Sequence, residues 1–331
     1  MITLFLIYFF LSFAIIYLSS FLSYRFKLLD IPNDRKKHSK PVAYTGGLAI
    51  SICYLVSLIL FNITSHQLSI IISISFLITA IGFIDDKYNL NIGGKLSLQI
   101  IPIFYLVVFE GIKLYSLGEY NFFELKLNNF SIPFTIFCVL LLINAFNYFD
   151  GLDGTLSFSF ISVIAILLYL INDPIKQTFL ITLILPIIIF IFFNFSFFKL
   201  PKLFLGDSGS LLLGFITSFI LIYLSYFEKI HPILLAWSIV LFVYEFIFIN
   251  IQRIRKNKNI FKPGFDHLHH ILYRRTNSIF WTNFIMFSSN ILFFFAGNLS
   301  FQMINSSASF ILFVMSFFVY FILRNLVEKN N

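Results

Sequence analysis

The sequence predicts an all-α protein, a polytopic transmembrane helical bundle with about eleven spans. Three observations support this fold class. The 331 residues are 59% hydrophobic and 11% charged, with a mean hydropathy of +0.91, whereas a soluble domain typically carries about a quarter charged residues. Eleven apolar runs follow one another along the chain, and the basic residues between them fall mainly in alternate loops. These features exclude an ordinary soluble domain.

The eleven apolar runs predict the spans in order. A transmembrane helix needs about 20 residues, so the shorter runs are expected to extend into their flanking residues. The runs are Ile2–Tyr24, Val42–Phe61, Leu68–Ile84, Leu96–Phe109, Ile132–Phe146, Leu156–Ile171, Phe179–Phe195, Leu211–Tyr226, Ile233–Ile251, Ile279–Ala296 and Ala308–Leu323. The fourth and fifth are the weakest, and losing only one of them would invert the sidedness of everything downstream.

The first run is predicted to be a retained span rather than a signal peptide. No charged n-region precedes it, and no small-residue cleavage site follows it. No internal repeat is apparent along the chain. We therefore expect residues 1–331 to form one integral membrane domain.

The Lys and Arg residues set the expected orientation. Nineteen of the 23 lie in the odd-numbered loops or after the last span, which leaves Lys113, Lys126, Lys176 and Lys229 for the even-numbered loops. Cytoplasmic loops concentrate Lys and Arg. The odd-numbered loops and the C-terminus are therefore expected to face the cytoplasm, with the N-terminus outside.

Polar motifs are concentrated in the same odd-numbered loops. Loop one carries His38 between two lysines, and loop three opens with Asp85 and Asp86. Adjacent carboxylates at a membrane boundary repel one another unless a cation or basic group offsets them. The pair is therefore either part of a binding site or a solvated helix end.

Loop five runs from Asn144 to Gly154 and contains two aspartates, each followed closely by glycine. Asp150 and Asp153 would share a helix face if this turn is helical. The glycines would let a ligand approach the backbone closely. An ordinary Asp-Gly turn is the alternative.

Loop seven ends in Gly206-Asp207-Ser208-Gly209-Ser210, directly before the eighth run. In one interpretation, a serine or aspartate of this string caps the following helix. In the other, oxygen ligands from Asp207 and its neighbours bind Mg²⁺, which is usually held by one or two carboxylates plus substrate phosphates.

Loop nine holds His267, His269 and His270 in a strongly basic segment. Zinc is not favoured, because no cysteines accompany the histidines and the carboxylates lie in other loops. Contacts to a phosphate fit better, and a basic loop on anionic lipid headgroups is the rival interpretation. Glu245, inside the ninth apolar run, is expected to be functional or paired.

Together, the motifs resemble those of the polyprenyl-phosphate N-acetylhexosamine-1-phosphate transferase family, also called glycosyltransferase family 4. The resemblance covers roughly residues 38–270, with matching motif order and loop parity. It implies that Asp85, Asp86 and Asp207 are catalytic and that Asp207 binds the metal. The substrate-binding residues that it implies are His38, Asn147, Asp150, Asp153, Phe204, His267, His269 and His270.

Individual roles follow from the same resemblance. Asn147, Asp150 and Asp153 match a string associated with the nucleotide pocket, and Phe204 matches an aromatic residue that stacks on uracil. The His-x-His-His element is typical of the sugar-phosphate branch rather than the peptide-carrying branch. Asn194 lies farther from Phe204 than its family counterpart, so no role is carried over to it.

The resemblance implies a Mg²⁺-dependent enzyme, with Mn²⁺ as the alternative metal. It would transfer N-acetylhexosamine-1-phosphate from a UDP-sugar to undecaprenyl or another polyprenyl phosphate, and release UMP. This would be the first membrane step of cell-envelope polysaccharide synthesis, such as that of lipopolysaccharide. The expected location is the bacterial inner membrane, with the active site on the cytoplasmic face; a homodimer is left open, and no nucleic acid is expected as a partner.

Two alternatives remain at this point. One is a phospho-MurNAc-pentapeptide transferase within the same family. The other is a multi-pass transporter or lipid flippase, which would carry ionisable residues buried in both halves of the membrane. Only Glu245 clearly fits that description.

Overall fold

The structure is a computed structural model that describes residues 1–32, 40–63, 65–257, 264 and 266–329. Within these residues, the chain forms thirteen α-helices and two small antiparallel sheets. The helices are α1 (Ile2–Arg25), α2 (Gly46–Leu60), α3 (His66–Tyr88), α4 (Ile92–Phe104), α5 (Ser131–Phe149), α6 (Thr155–Leu170), α7 (Pro174–Asn194), α8 (Gly206–Phe227), α9 (Pro232–Ser238), α10 (Val240–Arg255), α11 (Leu268–Thr276), α12 (Ile279–Met303) and α13 (Ser306–Lys329). The strands are β1 (Leu29–Asp30), β2 (Val42–Ala43), β3 (Ser116–Tyr120) and β4 (Phe123–Lys126).

Each of the eleven predicted apolar runs contains a helix. Eight helices in the described part of the chain are long and apolar enough to cross a membrane, or nine if α9 and α10 form one broken span. The weak fourth and fifth runs are both among the eight. Helices α2 and α6 are shorter, with 15 and 16 residues. The all-α, multi-pass class is confirmed, and the number of eleven spans stays a prediction.

The ninth run is not the single straight helix that its apolar pattern suggests. Helices α9 and α10 meet at 72° between Ser238 and Val240. A break in a helix leaves backbone carbonyls without their usual partners. Here Asn290 of α12 donates its side-chain N–H to the Ser238 carbonyl at 2.9 Å, so a polar side chain from another helix supports the bend.

Contacts between helix ends indicate that successive long helices run in opposite directions. His66, at the start of α3, contacts Glu110, which follows α4 and its π-helical last turn, at 3.0 Å. Lys176, at the start of α7, pairs with Glu228, just after α8, at 2.6 Å. We call this the distal end of the bundle. The opposite end, where α3 and α5 finish and α8 begins, is called the acidic end.

Helix α8 is the centre of the bundle. All its residues from Ser208 to Leu224 are buried, and it packs against α2, α3 and α5. A helix that is apolar on every side is typically buried by its neighbours. This packing fixes the first turn of α8 at the middle of the acidic end.

Candidate active site

The adjacent acids Asp85 and Asp86 lie in the last turns of α3, at the acidic end. Asp85 is buried and accepts hydrogen bonds from the ammonium of Lys95 at 2.6 Å and the backbone N–H of Leu90 at 2.8 Å. A basic group therefore offsets the pair, as the charge argument requires. The alternative of a solvated helix end is wrong.

Asp86 caps the first turn of α8. Its two carboxylate oxygens accept the backbone N–H groups of Asp207, at 2.9 Å, and Ser208, at 3.2 Å. These N–H groups have no partner within the helix. The string from Gly206 to Ser210 does not supply this cap itself, because the N-cap position is Leu205 and makes no side-chain cap bond.

Gly206 is needed for this approach. Its φ is +73°, a conformation that disfavours residues with a Cβ, and a Cβ here would lie 2.6 Å from the Asp86 carboxylate. The glycine of the motif thus lets α3 and the start of α8 come together.

Lys95 joins the third and seventh loops and was not predicted as a site residue. Its ammonium lies 2.6 Å from Asp85 and 2.5 Å from Asp207. Lys95 lies in the first turn of α4, ten positions after Asp85. In the sequence, Lys95 is only one of the basic residues expected on the cytoplasmic side. Its proximity to both aspartates depends on the packing of α3, α4 and α8.

The Asp150–Gly154 segment is a turn between α5 and α6 rather than a helical extension. Asp150 and Asp153 therefore do not share a helix face. Asp153 pairs with Lys202 at 2.6 Å. The surrounding protein, followed by the negative charges of Asp207, Asp86 and Asp153, raises the pKa of Asp150, although the residue is exposed at the surface. The acids of loops three, five and seven thus interact electrostatically at one site.

Phe204 is held by backbone hydrogen bonds to the segment before α2. Its N–H donates to the Ala43 carbonyl at 2.7 Å, and its carbonyl accepts from Gly46 at 3.0 Å. The ammonium of Lys202 lies 5.4 Å from the centre of the Phe204 ring, within cation–π range. Asn194, which received no role from the sequence, is buried and donates to the Leu203 carbonyl at 2.9 Å, so it supports this segment.

Asn147 lies in the last turn of α5 and is half-buried. Its carbonyl accepts the backbone N–H of Asp150 at 3.3 Å. This backbone hydrogen bond connects the end of α5 to the Asp150–Gly154 turn.

The histidines of loop nine reach the aspartate turn of loop five. His267 precedes α11, and His269 and His270 lie in its first turn. A Cβ on Gly151 would lie 2.4 Å from the Nε2 atom of His269 and 3.1 Å from that of His270. Glycine at position 151 is therefore what allows the two loops to touch.

His269 is 1% exposed, and neither of its ring nitrogens has a hydrogen-bond partner among the described residues. Burial, then the charges of His270, His267 and Arg324, holds the pKa of His269 well below its ordinary value. Burial also lowers the pKa of His267. These rings are therefore suited to neutral hydrogen bonding rather than to carrying positive charge.

The structure thus brings together ten of the eleven sequence-predicted site residues at the acidic end of the bundle. The eleventh, His38, lies outside the described residues. The ten are Asp85, Asp86, Asn147, Asp150, Asp153, Phe204, Asp207, His267, His269 and His270.

The donor chemistry of this end fits a hard divalent cation. Among the described residues, no group of three or more His, Cys, Asp or Glu side chains is arranged to hold a metal ion without other ligands. Mg²⁺ does not need such a cage, since one or two carboxylates and substrate phosphates usually suffice. The carboxylates of Asp207, Asp86 and Asp150 at this end of the bundle are the side chains that could supply such oxygen ligands.

The chain is similar to a known family and to individual relatives within it. The family model described as glycosyl transferase family 4 matches residues 67–225. An undecaprenyl-phosphate alpha-N-acetylglucosaminyl 1-phosphate transferase of Yersinia pestis is 30% identical over 81% of this chain and 76% of the relative. The protein of that name from Escherichia coli strain K12 is 29% identical over 75% of this chain and 69% of its own. A probable undecaprenyl-phosphate N-acetylglucosaminyl 1-phosphate transferase of Bacillus subtilis is 29% identical over 74% and 69%.

Proposed function

The chain belongs to glycosyl transferase family 4, and we propose the donor, the cofactor and the membrane face that its reaction uses. It is a membrane phosphotransferase that transfers an N-acetylhexosamine-1-phosphate to undecaprenyl phosphate. The donor is a UDP-N-acetylhexosamine, the released product is UMP, and the site faces the cytoplasm. The convergence of the aspartates, Lys95 and the histidines at one end of the bundle is the observation that carries this proposal.

The nucleotide side of the site is formed by Phe204, Lys202 and Asp153. The half-buried Phe204 ring offers a face for the uracil base, and aromatic stacking of this kind is worth about 1–3 kcal/mol per base. Lys202 lies against this ring and pairs with Asp153. The base and the first phosphate of the donor would therefore lie beside this pair.

Mg²⁺ is the proposed cofactor, with Asp207 as its main ligand and Asp150 nearby. When bound, it neutralises charge on the diphosphate during phosphoryl transfer. His269 and His270 would act as hydrogen-bond donors to the phosphate oxygens, since their side chains adjoin the Asp150–Gly151 turn. Asp86 keeps the first turn of α8 in place beneath Asp207.

Asp85 is proposed to position groups rather than to act as a general base. Its carboxylate already accepts hydrogen bonds from Lys95 and Leu90. A phosphate monoester with a second pKa near 6 is mostly ionised at about pH 7, so a base would add little. Stereochemistry at the transferred phosphorus tests for a third role, a covalent aspartyl intermediate, because one direct displacement inverts the phosphorus and two displacements give retention.

The bond that breaks is tested with a donor labelled in the sugar-bound phosphate. If the lipid phosphate attacks that phosphorus, the label enters the lipid fraction and unlabelled UMP appears in water. An attack at the anomeric carbon would release labelled UDP instead and would contradict the proposal. A panel of UDP-N-acetylsugars in the same assay identifies the sugar.

The membrane face is tested by cysteine accessibility. Single cysteines placed at Lys87 and Lys256, near the acidic end, are expected to label only from the cytoplasm. Cysteines at Lys126 and Lys229, near the distal end, should label only from outside. The reason is that 19 of the 23 Lys and Arg residues lie in the odd-numbered loops or after the last span, and cytoplasmic loops concentrate such residues. Labelling of the Lys87 position from outside would refute the proposed orientation.

The two alternatives are not favoured. The relatives are named as N-acetylglucosaminyl 1-phosphate transferases, and the histidine element differs from that of the peptide-carrying branch. Against a transporter, Glu245 is paired with Arg324 rather than arranged along a substrate path. We assign the reaction to the first membrane step of an envelope polysaccharide, in the bacterial inner membrane.

A further inference from the structure

Two buried charges outside the catalytic cluster face one another between α10 and α13. Glu245 is 1% exposed and Arg324 is 2% exposed. Arg324 donates to both Glu245 carboxylate oxygens at 3.2 Å, and the Tyr320 hydroxyl donates to one of them at 2.5 Å. The expectation that Glu245 is paired is therefore confirmed, with a partner 79 positions away.

The same charges hold the segment directly before α11. Glu245 accepts the backbone N–H of Leu268 at 2.6 Å, and Arg324 donates to the Asp266 carbonyl at 2.5 Å. Leu268 is the first residue of α11, so Glu245 satisfies a backbone donor that the helix itself cannot satisfy.

A third anchor comes from the end of α10. The guanidinium of Arg253 contacts both oxygens of the Asp266 carboxylate, at 2.9 and 3.2 Å. Burial alone would raise the pKa of Asp266, but the hydrogen bond and charge of Arg253 lower it to about 2. Asp266 therefore stays ionised, and residues 266–268 are fixed by α10 on one side and α13 on the other.

This arrangement is poorly explained by stability alone. Moving two charges out of water is costly, and replacing a buried ion pair by apolar residues of similar size is often neutral or stabilising. What the pair adds is a fixed position for the first turn of α11. That turn carries His269 and His270, whose rings touch the Gly151 turn.

We propose that Glu245, Arg324 and Tyr320 form a clamp that positions His269 and His270 for the donor phosphates. The clamp residues touch neither substrate nor metal and act through α11. The C-terminal helix α13 is thereby a functional part of the site, although it lies beyond the segment that matches the family model. The inference rests on the proposed role of the histidines in donor binding.

The test uses the full chain with Glu245→Met and Arg324→Met combined. The double change removes one charge of each sign, so it leaves no unpaired buried charge. It also removes the partners of Leu268 N–H and the Asp266 carbonyl. We expect kcat/KM for the UDP-sugar to fall at least ~10-fold while the thermal unfolding temperature in detergent changes little.

A readout independent of activity follows the position of α11. His270→Cys is introduced after Cys53→Ala and Cys138→Ala, and its labelling rate with a maleimide is measured. Release of the clamp should increase this rate several-fold. Tyr320→Phe, which keeps both charges, serves as the milder variant and should raise labelling and lower kcat/KM by a smaller factor.

Ser309→Ala is the matched control. Ser309 is also a buried hydrogen-bond partner on α13, but it contacts Trp237 at 3.0 Å near the distal end. It should leave both labelling and kcat/KM within about two-fold of the unmodified chain. If Ser309→Ala acts like the clamp variants, α13 has only a general structural role.

The outcomes separate this inference from the proposed function. Unchanged labelling and kcat/KM in both clamp variants would overturn the clamp and leave the transfer reaction untouched. If the unmodified chain uses no UDP-sugar, the proposed donor is wrong, and the labelling rates still decide whether Glu245 and Arg324 hold α11.

Discussion

Asp207→Asn is expected to reduce kcat at least ~100-fold, and EDTA is expected to stop turnover. Asp207 begins the central helix α8, and its carboxylate lies close enough to Asp86 and Asp150 for their charges to interact. Asparagine has the same shape but lacks the negative charge that Mg²⁺ prefers in its ligands. Initial rates of lipid product formation, measured over a range of Mg²⁺ and Mn²⁺ concentrations, give both effects.

Asp173→Asn is the control for this change. Asp173 is also an aspartate beside a helix start, where it accepts the Ile175 N–H at 2.8 Å, but it lies at the distal end. Asparagine caps helices about as well as aspartate, so activity should stay within about two-fold. Full turnover of the unmodified chain in EDTA would refute the metal assignment.

The acidic motifs could be predicted from sequence because each lies at the end of an apolar run. The parity of those runs predicts that Asp85, Asp150 and Asp207 lie on one side of the membrane. Their meeting in the structure follows from the burial of α8, against which α2, α3 and α5 pack. Periodicity and charge asymmetry predict this shared side, and the order of the motifs, through the family resemblance, predicts that the acids belong to one site.

The supporting contacts could not be predicted in the same way. Lys95 is an ordinary loop lysine in the sequence, and only the packing of α3, α4 and α8 gives it two carboxylates. The partner of Glu245 is 79 positions away on α13. A pattern within one segment cannot predict a contact between residues so far apart in the sequence.

In two places, the sequence pattern of a single segment does not predict the local structure that is observed. The string from Gly206 to Ser210 looks like a self-capping helix start, yet the cap comes from Asp86 on another helix. The ninth run looks continuous, yet Asn290 supports a bend at Ser238. In both cases a polar side chain from a neighbouring helix satisfies backbone groups, and a sequence read one segment at a time does not contain that neighbour.

The second large effect is expected for Lys95→Met. The Lys95 ammonium is the shared partner of Asp85 and Asp207, and methionine keeps the unbranched aliphatic part of the side chain without its charge. Two carboxylates would then face each other in a partly buried site, where like charges repel strongly. We expect kcat to fall about 100-fold, since Lys95 is the side chain that holds Asp85 and Asp207 together.

The same change should shift the metal requirement in the opposite direction. An ammonium 2.5 Å from Asp207 offsets the charge that a divalent cation would meet. Without it, the site is more negative, so half-saturation with Mg²⁺ should occur at a lower concentration even though kcat falls. Lys87→Met is the control, because Lys87 is exposed on the last turn of α3, with its ammonium 5.1 Å from the Tyr88 ring centre. Unchanged kcat in Lys95→Met would mean that the bridge between Asp85 and Asp207 has no part in catalysis. A lower kcat together with weaker Mg²⁺ binding would mean that Lys95 maintains the metal site rather than competing with the metal for Asp207.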